Sequence, residues 1–79
     1  MIRHRYSSEE QNFRTFLRKR RREAGLRQAD LAERLGVPQS FVSKYESGER
    51  LLTFIEAVLI LKQLGATVNE AAKQSMNGI

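Results

Sequence analysis

Residues 28–48 read QADLAERLGVPQSFVSKYESG, a pattern of two short amphipathic helices joined by one sharp turn. In the first half, Ala29, Leu31, Ala32 and Leu35 recur at helical spacing and form an inward apolar stripe, while Gln28, Asp30, Glu33 and Arg34 stay in water. Gly36 ends that helix, because glycine adopts the left-handed conformation without a steric penalty. Pro38 fixes its own φ and disfavours helix at Val37, which holds the connection to a few residues. A second helix is expected over residues 39–47. Its inward residues are Val42 and Tyr45, three apart, which leaves Gln39, Ser40, Ser43 and Lys44 together on the outer face.

Working outward, the pattern stays helical and no strand is expected. Either Ser7 with Glu10 or Ser8 with Gln11 supplies a capping box for a first helix over residues 9–24, ended by Gly25. Its buried stripe is Phe13 and Leu17, with Phe16 or Ala24 beside them. A fourth helix is expected over residues 53–64, ended by Gly65, and a short fifth over residues 68–76. Residues 1–7 read as a basic tail, residues 8–76 as one all-α domain of five helices, and residues 77–79 as a tail that frays.

Composition narrows the class of partner. A chain of 79 residues is expected to be a single small domain with no sensor module, burying about 60% of its unfolded surface. Fourteen Lys and Arg against nine Asp and Glu give a net charge of +5, which favours a polyanion through counterion release. The absence of cysteine excludes a disulfide framework and a thiolate zinc site, and one histidine cannot build a metal cluster or a triad. No convergent set of titratable groups stands out, so enzyme activity, a cofactor and a small-molecule ligand are not expected. The longest apolar run, residues 57–61, is far too short to cross a bilayer, and the N-terminus has no signal-peptide core. The expectation is a cytoplasmic protein without a membrane partner.

From Phe13 to Leu64 the chain resembles the helix-turn-helix repressors of the phage Cro and cI type, the XRE family. The residues that carry the likeness are Arg21 four positions before Gly25, then Leu26, Gln28, Leu31, Ala32, Leu35, Gly36, Val42, Glu46 and Gly48. The resemblance implies a lambda-repressor-like fold in which the second helix of the motif enters the major groove of double-stranded DNA while the first crosses the backbone. Carried over by position, Gln39, Ser40, Ser43 and Lys44 become the base-facing set. Glutamine can pair with an adenine edge, lysine donates to guanine, and serine does either with little discrimination. Ser43 and Lys44 stand between base and phosphate. Gln28 opens the first motif helix, where backbone amides suit a phosphate oxygen, and the resemblance implies that it also braces Gln39. Arg27 departs from the family's Ser or Thr at that N-cap, exchanging a side-chain cap for a cation directed at phosphate. Ser47, Gly48 and Arg50 resemble a second phosphate clamp, and Arg21 is expected to pair with Glu46 beneath the motif.

The remaining charged and apolar stretches admit blander readings. The run Arg18, Lys19, Arg20, Arg21 and Arg22 invites a nuclear-localisation or RNA reading, but cations near a helix C-terminus also suit its dipole and form a solvated face. Arg3, His4 and Arg5 read as an arm along the DNA or as a disordered tail. In the fourth helix, Phe54, Ala57, Val58, Leu61 and Leu64 make one core face, whereas Ile55 and Leu59 lie on a flank. Either helix 5, with Val68, Ala71 and Ala72, covers that flank, or a two-fold homodimer on a pseudo-palindromic operator uses helix 4, helix 5 or both, with Ile55 and Leu59 as the interface candidates. The function expected is sequence-specific transcriptional regulation, with repression and autoregulation as its form. Alternatives are a restriction-modification controller and an antitoxin that binds a toxin protein; a polymerase contact is a further protein partner. An RNA-binding role would need exposed aromatics for base stacking, for which Phe41 is the candidate.

Overall fold

The computed structural model describes residues 8–76, which form five helices: α1 (Ser8–Glu23), α2 (Gln28–Leu35), α3 (Gln39–Ser47), α4 (Phe54–Gln63) and α5 (Val68–Ser75). The expected tails, including Arg3, His4 and Arg5, lie outside the described residues, as does Ser7 of the first capping box. Ser8 falls inside α1, so the Ser8 and Gln11 version of that box is not the one used.

Leu17, Leu31, Ala32, Val42, Tyr45, Ile60, Leu61, Leu64 and Ala71 make one buried cluster to which every helix or its cap contributes. Fully burying each of its larger aliphatic side chains is worth about 1.5–3 kcal/mol. Around this cluster α1 lies against α5 and α3, and α2 lies against α3 and α4. The turn between α2 and α3 follows the sequence closely. Gly36 takes φ +71°, and the Val37 N–H reaches back to the Ala32 carbonyl at 3.0 Å. Pro38 then serves as the N-cap of α3.

Two helix starts are fixed by reciprocal caps at the Thr-x-x-Glu spacings of residues 53–56 and 67–70. Thr53 Oγ1 accepts the Glu56 N–H at 3.1 Å while the Glu56 carboxylate accepts the Thr53 N–H at 2.9 Å. Thr67 and Glu70 repeat the arrangement at α5. Arg50 holds Glu56 from the other side, through Nη1 at 2.8 Å and Nη2 at 2.9 Å.

These bonds, Arg50's foremost, hold the Glu56 carboxyl at about 2, against an ordinary 4.5. Asp30 is likewise held at about 2 by Arg27, and Glu70 is lowered by the Thr67 N–H and by Arg20. A carboxylate with a depressed folded pKa adds stability above its unfolded pKa and loses it as pH falls towards the folded one. The thermal midpoint is therefore expected to drop between about pH 5 and pH 2, and Glu56→Gln to make that drop shallower without abolishing it. Equal pH dependence in both proteins by circular dichroism would contradict the Glu56 assignment.

The structure corrects several expectations about burial. Ala29 and Ala24 are exposed, and the stripe of α2 is Leu31 and Ala32, with Leu35 half-buried. Phe54, expected in the core, is 70% exposed. It stands at the first position of α4 and forms the rim of an apolar groove of about 250 Å³ between α4 and α5, whose walls include the small Ala57, Ala71 and Ala72. Helix α5 does not cover Ile55 and Leu59, because it packs along α1; those two remain 64% and 51% exposed.

Candidate nucleic-acid interface

The outer face of α3 rests on a buried polar network. Glu46, at the end of the helix, has a side chain only 3% exposed and receives Arg21 in bidentate fashion, Nε at 2.7 Å and Nη2 at 3.0 Å. Arg21 spends its remaining nitrogen on the Leu26 carbonyl at 2.8 Å, and hydrogen bonding to Glu46 raises its pKa. Gln28 Nε2 also donates to Glu46, at 3.0 Å. Gln28 therefore braces Glu46 and not Gln39, because a buried carboxylate needs more donors than one guanidinium supplies. One carboxylate thus ties α1, the start of α2 and the end of α3 into a fixed frame.

On that frame Gln39, Ser40, Ser43 and Lys44 are all exposed. Pro38 and the caps of α2 set where α3 begins, so Gln39 and Ser40 occupy its first turn. Among the described residues none of these four side chains makes an internal hydrogen bond. Their donors and acceptors face water ready for use, which is the state a base-reading face requires before it meets DNA.

The residues expected on phosphate behave differently, since each has an internal partner. Arg27 is 81% exposed at its side chain and lies bidentate on Asp30, at 3.1 and 3.0 Å. Asp30 also accepts the Arg27 backbone N–H at 2.8 Å, so the carboxylate supplies half of a cap. A guanidinium cannot accept the return bond, and the first-turn N–H groups of α2 are left without a side-chain acceptor. The Ser47 hydroxyl donates to the Lys44 carbonyl at 3.1 Å. Gly48, expected to offer its N–H to phosphate, is buried; that N–H points to the Tyr45 carbonyl at 3.3 Å. Arg50 is held by Glu56 and stacks 4.6 Å above the Phe41 ring. That stacking occupies a face of Phe41, whose ring also meets Tyr45 edge-on at 5.9 Å, and so weakens the case for a base platform.

A family model described as helix-turn-helix matches residues 17–70, more than two thirds of the chain. The chain belongs to the helix-turn-helix family. Its type is XRE, and at the level of that family it is a DNA-binding transcriptional regulator. No curated protein and no solved structure matches the chain. Among the described residues no helix is long and apolar enough to cross a membrane.

The helix-turn-helix frame includes two arginines whose places the sequence did not disclose. Arg20 leaves the basic run to staple α1 to α5 and the turn before it, bonding Glu70 at 3.0 Å and the Gly65 carbonyl at 3.1 Å. Its run-mate Lys19 forms a loose surface pair with Glu23 at 4.0 Å. The second, Arg14, lies over Gly48. No local spacing marks either placement, because each joins residues more than thirty positions apart.

Proposed function

We propose that this helix-turn-helix protein is a cytoplasmic, sequence-specific repressor that reads a pseudo-palindromic operator as a homodimer, with autoregulation among its uses. The observation that carries the reading is the contrast on α3: four exposed polar side chains without internal partners stand on a helix locked from behind by Arg21, Glu46 and Gln28. Gln39 reads a base edge in the major groove, Ser40 assists it, and Ser43 and Lys44 reach a base or the adjoining phosphate. The amide ends of α2 take a phosphate in place of the missing side-chain cap, with Arg27 swinging from Asp30 to meet it. Each domain presents one recognition helix, and Ile55 and Leu59 give the apolar surface through which a second copy would supply the other.

Gln39→Ala tests the central assignment. The expected loss is about 1–3 kcal/mol on the cognate operator, confined to one base position, with little change on mixed-sequence DNA. Equal losses on both DNAs, measured by fluorescence anisotropy, would remove Gln39 from base reading. The groove rimmed by Phe54 favours a second reading, an antitoxin that holds a toxin protein there.

A further inference from the structure

The turn after α3 carries a cation that the expected phosphate set leaves out. Gly48 has φ +89°, and a Cβ placed on it would lie 3.0 Å from Cζ and 3.1 Å from Nη2 of Arg14. The absence of a side chain at Gly48 therefore makes room for a guanidinium from α1 at the place where a phosphate was expected to approach backbone. One turn further along α1, Arg18 has a side chain 52% exposed, with Nε 4.0 Å from Glu46 Oε1. Arg14 and Arg18 thus lie on the α3 side of α1. Asn12, Phe16, Lys19, Arg20 and Glu23 line the opposite side, towards α5. Arg50, the cation expected at this turn, bonds Glu56 and stacks on Phe41.

We infer that Arg14, with Arg18 one turn away, is a phosphate-binding pair that flanks the C-terminal end of the recognition helix. The inference rests on the proposal that α3 enters the major groove and adds α1 to the DNA footprint. Two guanidiniums at helical spacing, one at Gly48 and one near Glu46, match a backbone strand running past the end of α3, and guanidinium geometry suits phosphate oxygens. A competing explanation is that Arg14 only complements the negative C-terminal end of α3. Glu10, one turn before Arg14, lines the same recess and would weaken its field without removing its charge.

The salt dependence of binding separates these cases. With a mixed-sequence duplex and the selected operator, the slope of log Kobs against log salt between about 0.05 and 0.2 M should flatten by about 0.9 for each phosphate the protein no longer neutralises. Arg14→Gln and Arg18→Gln are each expected to show that flattening on both DNAs, Arg14→Lys to retain the wild-type slope, and Lys73→Gln on the α5 side to leave it unchanged. A normal slope in Arg14→Gln and Arg18→Gln, with a lowered thermal midpoint, would overturn the inference in favour of a purely structural arginine. Failure of the base-reading proposal is read separately, as wild-type protein that binds mixed-sequence DNA with a salt slope but prefers no operator.

Discussion

Glu46→Ala should cost about 3–5 kcal/mol of folding stability, because it leaves the Arg21 guanidinium, 7% exposed, without its counter-charge. For a domain of this length that is a large part of the whole, given about 0.05–0.15 kcal/mol per residue. Arg21→Ala should do comparable harm by stranding Glu46, although Gln28 still donates one hydrogen bond to it. Replacing both partners with leucine should cost less than either single change, since no buried charge is then left alone. Urea denaturation of the three variants gives the comparison. A loss below about 1 kcal/mol for Glu46→Ala would be that of a surface ion pair and would contradict the buried network. The functional corollary is that these variants lose DNA binding in proportion to unfolding, with base preference unchanged in the folded fraction.

Ile55→Glu combined with Leu59→Glu should yield a folded monomer in sedimentation experiments. Both side chains are more than half exposed, so the new carboxylates stay in water and the fold is expected to change by no more than about 0.5 kcal/mol per site. A monomer engages one half-site at a time, and without the linked second half-site operator affinity should fall by about 10²–10⁴-fold. Binding to mixed-sequence DNA, which depends on charge, should fall as well because of the negative charges added, and the ratio of operator to mixed-sequence affinity at one salt concentration removes that part. A dimer that survives both substitutions would contradict the α4 interface; Phe54 and the groove it rims would be the next surface to mutate.

Local periodicity made the helices legible. The Gly36 and Pro38 pair set the turn of the motif, and α3 spans the residues read from the pattern, Gln39–Ser47. Legibility ends where a helix meets its neighbours. Phe54 has core spacing but stands at the first position of α4, and spacing carries no information about whether a partner reaches that far. The caps at Thr53 and Thr67 do have a legible signal, the Thr-x-x-Glu spacing. At the candidate site, the exposure of Gln39, Ser40, Ser43 and Lys44 follows from helical geometry. The internal partners of Arg27, Gln28 and Arg50 do not, because a long side chain chooses among carboxylates by three-dimensional distance. Arg14 over Gly48 is the extreme case: only the fold brings α1 to the end of α3.

Selection of bound duplexes from a random library at about 0.15 M salt, where non-specific binding is weak, tests the central claim most directly. An enriched inverted repeat with half-sites one helical turn apart, about 34–36 Å, is the expected result, since a two-fold dimer presents one α3 to each half-site. Folded protein that enriches no motif would contradict sequence-specific reading by Gln39, Ser40, Ser43 and Lys44, and would favour a role in which the groove at Phe54 binds a protein partner.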